Sequence, residues 1–186
     1  MTAILKRICV YCGSSMGSHP RYRAAAAALG QVLARRRLTL VYGAGNVGTM
    51  GVIADAVLAH GGDVVGVIPQ VLVDMEVAHT GLGDLRIVDT MHERKAMMAQ
   101  LADAFIALPG GMGTLEELAE ILTWAQLDLH KKPIGLLNVA GYFDHLLRFF
   151  DQAVADGFLR AAHRDLVLVD TDADRLLERF LGMMET

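Results

Sequence analysis

Short, almost uniformly apolar runs alternate with amphipathic segments from one end of the chain to the other. The run 64–68, Val-Val-Gly-Val-Ile, carries no polar residue, as expected of a strand covered on both faces. Strands separated by helices predict βαβ units and a parallel sheet. We predict strands at about 7–12, 38–42, 63–68, 85–89, 103–108, 133–137 and 166–169, and helices near 20–36, 48–60, 91–101, 114–129, 142–156 and 172–182.

This order of elements predicts an α/β fold: a Rossmann-like, doubly wound, mostly parallel seven-stranded sheet with helices on both faces. The chain has 186 residues, the length of one domain, and no linker, repeat or low-complexity segment divides it. We therefore expect one domain over residues 1–186. Ligands of such sheets bind beyond the carboxyl ends of the strands, so the loops after the strands form the candidate site.

Composition narrows the class of protein. Hydrophobic residues make up 53% of the chain and charged residues 20%, which excludes an intrinsically disordered protein. No apolar run approaches the roughly 18 residues of a membrane-spanning helix. Lys6 and Arg7 stand where a signal peptide would need its apolar core. We expect a cytoplasmic, soluble protein with no membrane partner, and the high apolar content indicates further surface buried in an oligomer.

Charge and cysteine content exclude several kinds of partner. The formal net charge is −4, and Arg35-Arg36-Arg37 suits a helix C-terminus, so we expect no nucleic-acid partner. Cys9 and Cys12 lie in a predicted strand, where their side chains point to opposite faces, so we interpret them as buried thiols. The seven histidines show no metal-ligand spacing, and we expect no metal.

The loop Gly43-Ala44-Gly45-Asn46-Val47-Gly48 follows the second predicted strand and satisfies the pattern G-x-G-x-x-G. A dinucleotide fingerprint also needs an acidic residue at the end of the next strand to hold a ribose. That strand ends Gly66-Val67-Ile68-Pro69, with no acid. We therefore interpret these glycines as allowing the backbone to approach a ligand or a neighbouring loop.

A second loop, Pro109-Gly110-Gly111-Met112-Gly113-Thr114, connects a predicted strand to a predicted helix. Free backbone N–H groups and the helix dipole make such a helix start a phosphate site, and Thr114 can cap the helix or contact the phosphate. No lysine follows the last glycine, so this is not a nucleoside triphosphate loop of the Walker type. A monophosphate fits one such cradle.

Two adjacent acids, Glu116 and Glu117, follow this loop. They can simply complement the helix dipole. However, the helix is apolar nearly all round, which predicts burial on most sides and favours a role for its acids. Glu116, Glu120 and Thr123 share a narrow polar face, whereas Glu117 points to the side of Trp124. The two adjacent acids therefore cannot have the same role.

The segment Thr90–Met98 begins with a capping box, Thr90 with Glu93. Arg94 lies one turn from Met91 and from Met98, so it points inward if these methionines face the sheet. An inward arginine needs an anion, which is either a ligand phosphate or a structural carboxylate. The alternative is a solvated head with its stem on the methionines. In the long connection 69–83, Glu76 and His79 are the polar groups that could reach a ligand.

Together these segments resemble the Lonely Guy family of cytokinin riboside 5′-monophosphate phosphoribohydrolases, many of which carry the label lysine decarboxylase. The similarity covers roughly residues 7–160, and its most specific parts are the motifs P-G-G-x-G-T-x-x-E at 109–117 and M-x-x-R-K at 91–95. Other matching segments are 12–15, 43–51, 76–79, 89–98, 123–126 and 157–158. Ala44 and Thr49 depart from the family pattern, in which glycine and leucine are common there.

The resemblance implies a single Rossmann-like nucleotide-binding hydrolase domain, a homodimer with active sites near the dimer interface, and no cofactor. It also implies hydrolysis of N6-substituted AMP to the free base and ribose 5-phosphate. By motif position, Arg94 and Glu117 are the catalytic residues. The substrate-binding residues are Glu76, Lys95, Gly110, Gly111, Gly113, Thr114, Glu116 and Thr123, together with Gly45, Gly13 and Ser14.

Three alternatives differ in their chemistry. A broader nucleosidase acting on AMP or other nucleoside 5′-monophosphates would use the same residues. A lysine decarboxylase needs pyridoxal phosphate on a lysine, and none of Lys6, Lys95, Lys131 and Lys132 has an evident partner for the cofactor ring. A non-catalytic nucleotide-binding protein would need only the glycine loops. Glu117 and Arg94 together favour the hydrolase over this last alternative. A carboxylate beside the anomeric carbon stabilises an oxocarbenium-like transition state or activates water, and we assign that role to Glu117.

Overall fold

The computed structural model describes residues 5–75 and 78–184. The strands are β1 (Arg7–Tyr11), β2 (Thr39–Tyr42), β3 (Val64–Pro69), β4 (Asp84–Val88), β5 (Ala104–Ala107), β6 (Ile134–Leu137) and β7 (Val167–Asp170). The helices are α1 (Pro20–Arg35), α2 (Gly48–Ala59), α3 (Gln70–Asp74), α4 (Met91–Leu101), α5 (Met112–Gln126), α6 (Asp144–Ala155), α7 (Ala161–Arg164) and α8 (Ala173–Met184), with a 3₁₀ turn at Val139–Gly141. No helix in these ranges has both the length and the apolar character needed to span a membrane.

The seven strands form one sheet in the order β4-β3-β2-β1-β5-β6-β7, and every neighbouring pair is parallel. The predicted doubly wound sheet is therefore confirmed. The strand order reverses between β1 and β5, because β2, β3 and β4 extend from one side of β1 and β5 lies on its other side. Ligands of such sheets bind in the crevice at this point of reversal.

Apolar side chains form a core on each face of the sheet. Helices α1, α2 and α8 cover one face, and α4, α5 and α6 cover the other. Cys9 belongs to the second core and Cys12 to the first, and both are free and buried. The prediction of two buried thiols on opposite faces is confirmed.

Several predicted helix boundaries differ from the structure. Helix α5 begins at Met112 and ends at Gln126, whereas the predicted helix ran from 114 to 129. Gly111 is its N-cap, with an extended backbone, so Met112 and Gly113 belong to the first turn despite the low helix propensity of glycine. The short helices α3 and α7 were not predicted, because four or five residues are too few to show a helical period.

The prediction that α5 is buried on most sides is wrong for its outer side. Leu118, Ile121 and Ala125 are buried against the sheet. In contrast, Met112 is 82% exposed and Leu115 is 39% exposed. The chain by itself leaves this apolar side uncovered.

Candidate functional site

A cleft of about 370 Å³ opens where the loops after β1, β2 and β5 meet α4 and α5. This volume suits a small-molecule ligand. The cleft lies at the carboxyl ends of β1 and β5, as the topology predicts. Of the residues predicted to form the site, it brings together Gly13, Ser14, Gly45, Arg94, Gly111, Gly113, Thr114, Glu116 and Glu117.

The other predicted residues lie elsewhere. Lys95 does not line the cleft but bonds to Glu116, and Gly110 lines the neighbouring groove beside Tyr142. Thr123 faces a groove between α5 and α6, and its hydroxyl donates to the Ala119 carbonyl at 2.7 Å. Glu76 lies outside the described residues.

His79 is held away from the cleft. Its Nε2 atom is 3.0 Å from a carboxylate oxygen of Asp55 on α2, and its backbone N–H donates to the Ala44 carbonyl at 2.8 Å. The ring is therefore engaged with α2, and His79 is not among the residues that line the cleft.

The start of α5 forms one wall of the cleft. Its N-cap, Gly111, has no side chain that could accept from the N–H groups of the first turn. The Thr114 hydroxyl is buried and has no hydrogen-bond partner within residues 5–75 and 78–184, so it does not cap the helix. A helix N-terminus attracts anions, and this one adds a buried hydroxyl, so the wall can bind a phosphate group.

Arg94 enters the cleft from α4 and is only 8% exposed. Its Nη2 donates to the Gly43 carbonyl at 3.2 Å, and its Nη1 lies 3.6 Å from the Met91 sulfur. The Nε atom is buried without a partner among the described residues. Of the alternatives that the sequence leaves open for Arg94, the structure therefore shows the inward one and not the solvated head. The unpaired Nε provides a donor for a ligand or a carboxylate.

Gly43 makes room for this guanidinium. A Cβ atom at position 43 would overlap the Nη2 of Arg94 and would lie only 2.8 Å from its Cζ. The absence of a side chain at position 43 therefore allows the arginine of α4 to approach the backbone after β2.

Glu117 and Glu116 have different environments, as the helical spacing predicts. Burial raises the pKa of Glu117 to about 7; the positive charge of Arg94 opposes this rise, and the charge of Glu116 adds to it. The Glu116 side chain is 54% exposed and pairs with Lys95. Glu117 is therefore close to balance between its protonated and ionised forms at neutral pH.

Lys95 links α4 to α5. Its Nζ donates to the Glu116 carboxylate and, at 3.1 Å, to the Glu120 carboxylate. These bonds, led by the one to Glu116, raise the pKa of Lys95, which stays charged although its side chain is only 8% exposed. Glu116 and Glu120 therefore lie on one face of α5, as predicted, because one lysine bonds to both.

Sequence reasoning missed the structural role of Thr49, which it singled out only as a departure from the family pattern. The Thr49 hydroxyl accepts a hydrogen bond from the Gly13 N–H at 3.0 Å and lies 3.1 Å from the Gly13 carbonyl, to which it donates. No local signal could have shown this contact, because it joins residues 36 positions apart. Next to it, burial raises the pKa of the Cys12 thiol to about 12, so this thiol is protonated and not a nucleophile.

Among the described residues, no three His, Cys, Asp or Glu side chains are grouped as metal ligands. What the cleft offers is a helix N-terminus, a buried hydroxyl, an arginine and a carboxyl group of raised pKa. The fold and these groups define a Rossmann-like α/β protein with a cleft suited to a small phosphorylated ligand.

Comparison with known proteins identifies the family. A family model described as "Possible lysine decarboxylase" matches residues 50–180. The probable cytokinin riboside 5′-monophosphate phosphoribohydrolase LOGL9 of Oryza sativa subsp. japonica is 53% identical over 94% of this chain and 77% of that protein. The phosphoribohydrolase LOG7 of Arabidopsis thaliana is 52% identical over 94% of this chain and 80% of that protein. This chain belongs to the LOG family of cytokinin riboside 5′-monophosphate phosphoribohydrolases, which confirms the resemblance found in the sequence.

Solved structures support the fold alone. The molybdenum cofactor binding protein of Rippkaea orientalis superimposes with a TM-score of 0.73 at 22% identity, covering 98% of this chain and 99% of that one. The molybdenum cofactor carrier protein of Chlamydomonas reinhardtii gives 0.73 at 19% identity, covering 98% of this chain and 100% of that one. At these identities the likeness extends to the architecture and not to the ligand.

Proposed function

We propose that this protein hydrolyses the N-glycosidic bond of cytokinin riboside 5′-monophosphates, which are N6-substituted AMP, to the free base and ribose 5-phosphate. Relatives about half identical over almost the whole chain carry this activity in their names. The observation that carries the proposal is the placement of Glu117 and Arg94 in one cleft with the N-terminus of α5. Cleavage of a glycosidic bond uses a carboxylate beside the anomeric carbon, and a helix N-terminus can bind the phosphate of the substrate.

The phosphate would bind at the start of α5. The N–H groups of the first turn and the Thr114 hydroxyl would donate to its oxygens. Gly13 and Ser14 also line the cleft. Binding at this remote group would hold the ribose so that its anomeric carbon lies beside Glu117.

Glu117 would act in its ionised form. As the bond between the base and C1′ breaks, its electron pair leaves with the base and positive charge develops on the sugar. The Glu117 carboxylate would stabilise that charge and accept a proton from the water that attacks C1′. The product sugar keeps the water oxygen and one of its protons as its hydroxyl. The other proton passes from Glu117, directly or through solvent, to the departing base, which restores the Glu117 carboxylate.

Arg94 would keep Glu117 ionised and stabilise negative charge. Its guanidinium lowers the pKa of Glu117 against the effect of burial. Its buried, unpaired Nε can also donate to the departing base or to the phosphate. Lys95 would contribute indirectly, because it compensates the charges of Glu116 and Glu120 beside the cleft.

A second copy of the chain would cover the apolar surface of α5. Phe149 of α6 is 66% exposed and Phe158 is 90% exposed, and both border the groove beside α5. We therefore propose a homodimer, formed in the cytoplasm from single-domain subunits. Light scattering at micromolar concentration tests this proposal, and the mass of a monomer would contradict it.

A chromatographic assay tests the activity. Purified protein is incubated with isopentenyladenosine monophosphate, AMP, CMP and the corresponding ribosides. Free base from the monophosphates but not from the ribosides is the expected result, because the ribosides lack the group that binds at α5. Glu117→Gln and Arg94→Ala should remain folded and lose most of the turnover, and full activity in either variant would contradict the assignment.

The same assay separates the proposal from its alternatives. Preference for the isopentenyl compound over AMP supports cytokinin activation, whereas equal or faster cleavage of AMP indicates a broader nucleosidase with the same catalytic residues. Saturable binding of nucleotide without any product would indicate a nucleotide-binding protein instead.

A further inference from the structure

The N-terminus of α2 holds the loop that follows β1. Thr49, which is only 2% exposed, uses its hydroxyl as acceptor for the Gly13 N–H and as donor to the Gly13 carbonyl. The N–H of Met50 donates to the same carbonyl at 3.2 Å. One side chain thus engages both polar groups of a residue that lines the cleft.

Close packing continues from this contact to the loop after β5. A Cβ atom at Gly13 would lie 3.0 Å from the Ser15 carbonyl oxygen and 3.3 Å from the Cα of Gly110. Gly13 is therefore wedged between its own loop and the glycine loop that leads into α5. Gly48, with φ at +64°, brings α2 so close that a Cβ there would overlap the backbone of Ser14 and Ser15.

We infer that Thr49 is a positioning residue that fixes the Gly13-Ser14 backbone beside the glycine loop that leads into α5, so that both loops can contact the same phosphate group. This inference rests on the proposed function for the identity of the phosphate compound. An aliphatic residue at position 49 fills the same space but leaves the Gly13 N–H unpaired, while the Gly13 carbonyl keeps the bond from Met50. Leucine is common at this position in the family, whereas this chain has a threonine whose hydroxyl bonds to Gly13.

The test compares Thr49→Val, which keeps the shape and removes the hydroxyl, with Thr49→Ser, which keeps the hydroxyl. Loss of one buried hydrogen bond predicts a rise in KM of about tenfold for the nucleotide, with kcat within about twofold of the wild type. The inhibition constant of ribose 5-phosphate should rise by the same factor, and that of adenine, which lacks the phosphate, should not. Thr49→Ser should restore the wild-type values.

The matched control is Thr39→Val, which makes the same chemical change at the start of β2, at the amino-terminal edge of the sheet. It should leave KM and the inhibition constants unchanged. A Thr49→Val variant that is folded and keeps the wild-type KM and ribose 5-phosphate inhibition overturns the inference and leaves the proposed function standing. So does a variant whose adenine inhibition weakens equally, because that result indicates general loosening of the cleft.

A failure of the proposed function has a different signature. If the wild-type protein cleaves no nucleotide, the comparison is repeated as direct binding of ribose 5-phosphate by calorimetry. Weaker binding to Thr49→Val with recovery in Thr49→Ser supports the positioning role without catalysis. Equal binding to all three proteins, or binding to none, overturns it.

Discussion

Replacing Gly43 by alanine should lower the activity strongly, because it displaces the guanidinium of Arg94. The new Cβ would overlap the Nη2 of Arg94 and lie 2.8 Å from its Cζ and 3.2 Å from its Nε. A fixed Cβ on the backbone cannot give way, so the guanidinium must move and lose its bond to the Gly43 carbonyl. The φ angle at Gly43 is not positive, so alanine adds no backbone strain at this position.

Two effects determine how Gly43→Ala should change the turnover and its dependence on pH. Loss of one preorganised group that stabilises charge in a transition state typically costs about 10²–10³ in kcat, or about 3–4 kcal/mol. In addition, Arg94 lowers the pKa of Glu117, so its displacement should raise that pKa above its value of about 7. If ionised Glu117 is the active form, the acid limb of the profile of kcat/KM against pH, which reports the free enzyme, lies near 7 in the wild type and moves to higher pH in Gly43→Ala.

The assay measures kcat and kcat/KM between about pH 5 and pH 9 for the wild type and Gly43→Ala, with circular dichroism to confirm the fold. Gly182→Ala makes the same change in α8, where a Cβ meets nothing within 4 Å, and should leave both quantities unchanged. Introducing Gly43→Ala into an Arg94→Ala background should have almost no further effect, because the two changes act through one guanidinium. A Gly43→Ala enzyme with wild-type kcat and an unmoved acid limb would refute this reasoning.

Three further predictions concern other groups of the site and core. Glu117 binds its proton more tightly in the folded than in the unfolded chain, so between pH 4.5 and pH 7 the free energy of unfolding of the wild type should fall by about 3 kcal/mol relative to Glu117→Gln, measured by urea unfolding across that range. A wild type whose stability follows the variant at every pH would contradict the raised pKa. Lys95→Met removes a charge that lowers the pKa of Glu117, so its acid limb should also move to higher pH, which a pH–rate profile checks against the wild type. Cys9 and Cys12 are buried thiols of raised pKa, so Ellman's reagent at pH 8 should react with neither until denaturant is added, and rapid labelling of the native protein would show that they are accessible.

Helix α4 shows what a sequence can predict well. Its predicted range, 91–101, is the observed one, because a side-chain signal marks its start. The Thr90 hydroxyl accepts from the Glu93 N–H at 3.1 Å, and the Glu93 carboxylate accepts from the Asp89 N–H at 3.0 Å. The start of α5 has no such signal, since Gly111 and Gly113 read as loop, and packing of the helix on the sheet decides the boundary instead.

In the candidate site, too, local spacing predicts some features, whereas contacts between distant segments decide others. Helical spacing on α5 is enough to separate Glu116 from Glu117. Spacing on α4 leaves Arg94 with two alternatives, and the packing of α4 on the sheet decides for the inward one. Spacing does not give the pKa of Glu117, which depends on burial and on charges from two helices. Nor does it give the bond between Thr49 and Gly13 or the exclusion of a side chain at Gly43, which depend on how distant segments meet.

The two adjacent acids of α5 make the length of the preceding loop part of the chemistry. Successive helical residues differ by about 100° in direction. One residue inserted between β5 and α5 would turn the helix by that angle and bring Glu116 to the buried position, with Leu115 beside Lys95. One residue deleted would place Leu118 in the cleft. The length of this loop, more than the identity of any one residue in it, therefore decides which carboxyl group faces the substrate.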